Sequence, residues 1–183
     1  MKTTRLPESG TQLSVQGEIL LSLFALTIIN STSNAQILSE DFTSGVPSTW
    51  ATNNGDLLTA HPNLDQYIGT GAAAAWSDST TGAWIALNSG VLASTSWYNP
   101  AGTSDDWLAT PGLTVTALSH IIWDAQAVDP SYPDGYEVRI STTAQSPMDT
   151  TNYSDVIYTN AGENTTMTTR IQSLSAYAGQ TIY

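Results

Sequence analysis

The carboxylates are the residues of this chain whose types and spacing come closest to catalytic chemistry. Asp105 and Asp106 are adjacent, and glycoside hydrolysis uses two carboxyl groups that flank one bond. On a strand, however, neighbouring side chains point to opposite faces of the sheet. The pair is therefore poorly placed to share one substrate, and a hydrolase that uses it ranks last among the functions considered.

The chain has two histidines, His61 and His120. Neither stands in a pattern typical of catalysis, since the sequence contains no Gly-x-Ser-x-Gly elbow and no His-Glu-x-x-His motif. His61 precedes a proline in a polar stretch and His120 begins an alternating run, so we expect both to be structural or solvent-exposed. The sequence thus indicates no catalytic residue and no cofactor-binding residue, and the chain is predicted not to be an enzyme.

The 6 tryptophans and 8 tyrosines suggest carbohydrate binding, because sugars stack on flat aromatic faces. Trp50, Trp107 and Trp123 are expected in the core. Trp97 and Tyr98 precede an Asn-Pro pair in a predicted loop, where they either present aromatic rings to a ligand or are buried. Both alternatives stay open at this point.

The chain is strongly acidic: 16 Asp and Glu against 4 Lys and Arg give its 183 residues a formal net charge of -12. So few cations cannot form a basic stripe for phosphates, which disfavours nucleic acid and anionic membranes as partners. Carboxylate and carbonyl oxygens are instead the ligands that calcium prefers. The absence of cysteine from the sequence excludes disulfides, thiolate metal sites and a cysteine nucleophile.

An apolar run at residues 19–29 has the length of a signal-peptide hydrophobic core and is too short to span a bilayer comfortably. Small residues at Ser33 and Ala35 predict cleavage before Gln36. Residues 1–35 are therefore assigned to a signal peptide, with a buried helix as the alternative, and a secreted or cell-surface location follows. Residues 36–183 are assigned to one domain, C-terminally incomplete because the sequence stops in a predicted strand.

Frequent turn signals separate short alternating stretches, which is typical of a β-sandwich or jelly roll. The clearest stretch spans residues 119–128, where Trp123 and its alternate neighbours face one way. Residues 136–140 repeat the alternation, and the two stretches are predicted to be adjacent antiparallel strands. The predicted fold class is all-β, a jelly-roll β-sandwich truncated before its last strands. Further strands are expected at residues 83–87, 107–109, 113–116, 156–158, 166–171 and 181–183.

Four short motifs follow one another along residues 37–183. They are Glu-Asp-Phe at residues 40–42 with Gly45, Pro47 and Trp50; Asp-Asp-Trp-Leu-Ala-Thr-Pro at residues 105–111; the hairpin at residues 123–143; and Leu-Ser-Ala-Tyr-Ala-Gly-Gln at residues 174–180. In this order they resemble the cleaved-adhesin, or choice-of-anchor J, domain, which also forms the haemagglutinin/adhesin regions of gingipain-type proteases. That family continues with further core strands and acidic residues beyond the last motif.

The resemblance implies a MAM-like jelly roll that is one module of a longer secreted or cell-surface protein. It also implies links to adhesion and to structural calcium. We accordingly expect Glu40 and Asp41 to hold a structural calcium ion, or else to be ordinary polar residues beside an inward Phe42. Asp129 and Asp134 are a second candidate pair, for which turn formation is the stronger interpretation.

The predicted function is a non-catalytic adhesion or binding module, with an extracellular protein or a glycan as its partner. The first alternative is a carbohydrate-binding accessory domain of a secreted hydrolase or peptidase. A structural spacer without any ligand is a further alternative.

Overall fold

The structure, a computed structural model, describes residues 26–31, 34–68, 84–87, 90–144 and 148–183. Within these ranges the helical elements are one short helix, α1 (Asp65–Ile68), and three 3-10 turns. Strands dominate, because β-branched and aromatic residues alternate with polar ones between frequent turn residues. In chain order the strands are β1 (Leu26–Ser31), β2 (Asn34–Glu40), β3 (Ala51–Asn54), β4 (Ile85–Leu87), β5 (Val91–Ala93), β6 (Asp106–Ala109), β7 (Leu113–Thr114), β8 (His120–Ala125), β9 (Tyr136–Ile140), β10 (Asp155–Asn160), β11 (Thr168–Ser173) and β12 (Thr181–Ile182).

Every strand pair in the described residues is antiparallel. The largest sheet has the order β11-β8-β1-β2, and four smaller pairs join β9 to β10, β7 to β12, β3 to β6 and β4 to β5. The protein is therefore all-β and built from several antiparallel sheets. This architecture is that of a β-sandwich and confirms the prediction of an all-β sandwich fold.

The alternation predicted for residues 119–128 is confirmed in β8. Trp123 and Ala125 are 0% and 1% exposed, which places one face of the strand in the core. The Trp123 ring meets the Tyr158 ring edge-to-face, with 5.1 Å between their centroids. Since Tyr158 belongs to β10, the inward face of β8 packs against the β9–β10 pair.

The predicted pairing of β8 with β9 is wrong. β8 pairs with β1 and β11, whereas β9 pairs with β10. The loop at residues 129–135 thus carries the chain from one sheet to another, and the two strands meet across the core, where Nε1 of Trp123 donates to the Tyr136 hydroxyl at 2.9 Å. Alternation determines which face of a strand is buried, but it leaves open which strand lies beside it.

Two apolar clusters form part of the core of the described residues. Each fully buried Leu, Val or Ile side chain contributes roughly 1.5–3 kcal/mol to stability. One cluster lies beside β4 and β5 and contains Ala60, Leu64 and Ala93. The other joins β7, β9 and β12 and contains Leu113, Val115, Ile140, Leu174 and Ile182.

The predicted signal peptide overlaps the described residues at its C-terminal end. Leu26–Ser31 forms β1 between β2 and β8, and the predicted cleavage bond before Gln36 lies within β2. Residues 1–25, which hold the rest of the predicted leader, lie outside the described residues. In the described ranges no helix is both long and apolar enough to cross a bilayer. Export stays a prediction.

Candidate functional site

A cavity of about 800 Å³ opens between β6 and β9. Its two long walls are formed by residues 106–110 and 135–140, and Ile121 and Leu174 contribute apolar surface from the core. Two further stretches of loop, at residues 94–97 and 126–129, also line it. Ligand sites are characteristically concave, mostly apolar and fitted with a few polar groups, so this cavity is the candidate site.

Two exposed aromatic side chains, Trp97 and Tyr132, line the same cavity. Trp97 is 37% exposed and Tyr132 is 80% exposed. The Trp97 ring is stacked on the His61 ring, with a centroid distance of 4.3 Å and an interplanar angle of 2°. One face of the indole is therefore supported by protein, which fixes the orientation of the ring at the surface.

The loops that carry these two aromatic residues are joined by a hydrogen bond. The hydroxyl of Ser96, next to Trp97, donates to Oδ1 of Asp134, two residues after Tyr132. The Tyr132 loop is itself a turn, because Oδ1 of Asp129 accepts from the backbone N–H of Ser131 at 2.8 Å. The turn-forming role expected for Asp129 is thus confirmed, and the turn holds Tyr132 beside the Trp97 loop.

Asp106 supplies a half-buried carboxyl group to the cavity. Its Oδ2 accepts hydrogen bonds from the hydroxyls of Tyr98 at 2.8 Å, Ser104 at 3.2 Å and Ser94 at 3.3 Å. Burial raises the pKa of this carboxyl to about 6, although the hydrogen bond from Tyr98 acts in the opposite direction. Its Oδ1 is buried and has no hydrogen-bond partner among the described residues.

Tyr153 presents a second buried polar atom to the cavity. The residue is 4% exposed, and its hydroxyl has no hydrogen-bond partner in the described part of the chain. Burial raises the pKa of this hydroxyl to about 12, so it is a neutral donor at ordinary pH. A buried polar group without a partner costs free energy, which a ligand group in the cavity would offset.

A smaller cavity of about 260 Å³ lies beside the first and is lined by both members of the predicted carboxylate pair. The two carboxylates accept hydrogen bonds from different partners. Oδ1 of Asp105 accepts from Nε1 of Trp107 at 2.6 Å, whereas Oδ2 of Asp106 accepts from the three hydroxyl groups described above. Arg139 forms an ion pair with Glu137, and its guanidinium carbon lies 5.8 Å from the centre of the Trp107 ring. Packing of Arg139 against Trp107 thus connects β9 to β6.

The predicted calcium ligands, Glu40 and Asp41, cap a tight turn. Oε1 of Glu40 accepts from the Phe42 N–H at 2.8 Å, and Oδ1 of Asp41 accepts from the Thr43 N–H at 3.0 Å. Phe42, 1% exposed, has a φ of 54°, a left-handed conformation that these two carboxylates support. In the described ranges no three His, Asp or Glu side chains form a metal-binding group. Calcium binding by the pair stays a prediction.

The histidines take the structural positions expected of them. His61 stacks on Trp97 and accepts at Nδ1 from the Asn63 N–H at 3.1 Å. His120 places Nδ1 2.9 Å from the carbonyl oxygen of Leu118. Nδ1 of each ring thus contacts a backbone group of its own loop, and the His61 ring also packs against the Trp97 loop.

Comparisons with protein-family models, with curated proteins and with solved structures find no match to this chain. The resemblance to the cleaved-adhesin domain therefore stays a prediction.

Sequence reasoning reached part of this site. It singled out Trp97 as a ring that is either presented to a ligand or buried, and it named Asp129 and Asp134, which lie on the loop that holds Tyr132. It missed Tyr153 and Arg139, because no pattern in the sequence indicates that either residue belongs to a site. Their roles arise from packing against Trp107, whose ring centroid lies 5.9 Å from that of Tyr153.

Proposed function

We propose that this protein is a non-catalytic adhesion module that binds a neutral glycan at the aromatic pair Trp97 and Tyr132. The observation that carries the proposal is their position on two loops that Ser96 and Asp134 join by a hydrogen bond. Both rings line the main cavity and are exposed to solvent. Secretion and membership of a longer surface protein are the context that the sequence predicts for such a module.

Stacking of a sugar ring on Trp97 is the core of the proposed interaction. The C–H face of a pyranose is apolar and packs on an indole as other apolar groups do. Because His61 supports the opposite face of the indole, Trp97 loses little conformational freedom when a sugar binds. A preorganised ring gives more affinity than a mobile one, since less ordering entropy opposes binding.

Polar groups beside the rings would select among sugars. Ser96 and Asp134, which join the two aromatic loops, line the cavity together with Asp106. These oxygens suit sugar hydroxyls, which donate as well as accept hydrogen bonds. The formal charge of -12 repels sulfated and carboxylated glycans, so the proposed ligand is neutral.

A glycan array tests the proposal. The full chain is compared with Trp97→Ala, with Tyr132→Ala and with Ile171→Ala, which removes a side chain that is 61% exposed on β11. We expect the native chain and Ile171→Ala to bind the same neutral glycans and both aromatic variants to lose them. Absence of binding to every neutral glycan would overturn the proposal.

A further inference from the structure

Acidic side chains outnumber basic ones around the main cavity. In the described ranges Arg139 is the only basic residue that lines it. Both arginines of these ranges are already paired, Arg139 with Glu137 and Arg170 with Glu163. The lining carboxylates that neither arginine pairs with are Asp106, Asp129 and Asp134. The cavity therefore carries negative charge that no arginine neutralises in this part of the chain.

Asp106 lacks a hydrogen-bond donor at one of its two carboxyl oxygens. Its Oδ2 accepts from three hydroxyl groups, whereas its buried Oδ1 has no partner among the described residues. All three donors are neutral, so the negative charge of the ionised carboxyl is not balanced by a cation. A half-buried charge without a partner costs free energy. A ligand that brings a positive charge and an N–H donor to Oδ1 would offset that cost.

Tyr153 independently indicates that the cavity is suited to a bound molecule. The residue lines the cavity and is 4% exposed, and its hydroxyl has no hydrogen-bond partner in the described part of the chain. Buried side-chain polar atoms without a partner are rare in folded proteins. The cavity thus has two such atoms on its lining, and polar groups of a ligand are what would satisfy them.

Aromatic rings supply much of the apolar lining. The tryptophans among the lining residues are Trp50, Trp84, Trp97 and Trp107. The face of an aromatic ring attracts a cation, and tryptophan does so most strongly. The guanidinium carbon of Arg139 lies 5.8 Å from the centre of the Trp107 ring, so one ring of this cavity already packs against a cation. The volume of about 800 Å³ lies in the range of roughly 300–1,000 Å³ that is typical of small-molecule sites.

We propose that the main cavity binds a small primary amine, whose ammonium group donates to Oδ1 of Asp106 and whose apolar body packs among the tryptophan rings. This inference goes beyond glycan binding, because it assigns a second class of ligand to the cavity and does not rest on stacking at Trp97 and Tyr132.

The choice of a primary ammonium follows from what Asp106 lacks. A primary ammonium combines a positive charge with three N–H donors. A quaternary ammonium has the charge without a donor, and an alcohol has a donor without the charge. A calcium ion needs about six to eight oxygen ligands, and the described ranges contain no group of three His, Asp or Glu side chains that could hold a metal.

Three ligands of similar shape separate charge from hydrogen bonding. At about pH 7.5, 2-phenylethylamine carries a primary ammonium, 2-phenylethanol is neutral, and trimethyl(2-phenylethyl)ammonium is charged without an N–H group. Burial raises the pKa of Asp106 to about 6, so its carboxyl is ionised at this pH. NMR titration of the full chain gives each dissociation constant, and the Trp107 indole N–H signal reports on the cavity. We expect 2-phenylethylamine to bind roughly tenfold more tightly than the other two.

Two substitutions then locate the site. Asp106→Asn removes the charge at nearly constant shape and is expected to weaken binding of 2-phenylethylamine roughly tenfold. Binding of 2-phenylethanol should be unchanged. The matched control is Asp155→Asn, which removes an exposed carboxylate of β10 that is not among the lining residues. It should leave amine binding unchanged. The comparison of the three ligands on the native chain stands even where a variant fails to fold.

Four outcomes would overturn the proposal. Equal affinity for the amine and the alcohol would make the cavity a plain apolar site, and equal affinity for the primary and the quaternary ammonium would exclude the bond to Oδ1. Equal weakening by Asp106→Asn and Asp155→Asn would assign the attraction to net charge alone. Tighter binding of N-acetyl-lysine amide than of 2-phenylethylamine would make a lysine of a partner protein the ligand instead of a small amine.

Discussion

Tyr136 donates a hydrogen bond of 2.9 Å from its hydroxyl to Oε2 of Glu163. Glu163 is 6% exposed, and its other oxygen accepts from Arg170 at 2.6 Å. The same Tyr136 hydroxyl accepts from Trp123 of β8. Three strands, β8, β9 and β11, are thus connected through one buried carboxylate beside the cavity.

Removing that carboxylate is expected to destabilise the fold. Glu163→Ala leaves the Arg170 charge without its partner, and breaking a buried charge pair costs about 3 kcal/mol or more. Glu163→Gln keeps part of the network and should cost less. Urea unfolding measures both. The matched control is Glu137→Ala, which breaks the more exposed ion pair with Arg139. It should change the free energy of unfolding by about 1 kcal/mol or less. Equal losses of stability for the two Ala variants would contradict the role of Glu163.

Stability near Asp106 should depend on pH in a defined direction. Its pKa is raised from 3.8 to about 6 by burial, so the folded state binds this proton more tightly than the unfolded state. The contribution of this group to stability is therefore full below about pH 3.8 and is lost as the pH rises through about 6. Asp106→Asn does not titrate, so its melting temperature relative to the native chain should rise between pH 4 and pH 7.

Taking the difference between the two proteins cancels the titration of all other groups, including Glu163. A difference in melting temperature that stays constant from pH 4 to pH 7 would contradict the raised pKa of Asp106. A stabilised Asp106→Asn variant at pH 7 would also show that the carboxyl serves the site rather than the fold.

The calcium prediction for Glu40 and Asp41 has a direct thermal test. A ligand that binds the folded state alone stabilises it by about 2.7 kcal/mol at a concentration 100 times its dissociation constant. Calcium should then raise the melting temperature of the native chain, and Asp41→Asn should abolish the rise. Identical melts in calcium and in excess EDTA would rule out the site in this chain.

The sequence predicts strands well where apolar and polar residues alternate strictly. β8 and β9 were located closely because Trp123 and Val138 belong to such runs. β3 was missed, since Ala-Thr-Asn-Asn has little β-propensity. β3 forms because it pairs with β6, from Ala51 opposite Ala109 to Asn54 opposite Asp106. This pairing stabilises an extended conformation that the four residues do not favour by themselves.

The candidate site was predictable only in part, because it brings together residues that are far apart in the sequence. Ser96 and Asp134 are 38 residues apart, and nothing in either loop indicates that the two meet. The same holds for the main cavity, whose two long walls come from β6 and β9. Composition showed that the chain is rich in aromatic residues, whereas the tertiary fold decided which of them lie together at the surface.

The central claim is that Trp97 and Tyr132 together bind a neutral glycan. Titration calorimetry with the oligosaccharide that binds best on the array measures this most directly. We predict that Trp97→Ala and Tyr132→Ala each weaken binding roughly tenfold or more, while Ile171→Ala binds as the native chain does. Unchanged affinity in folded Trp97→Ala would contradict the account.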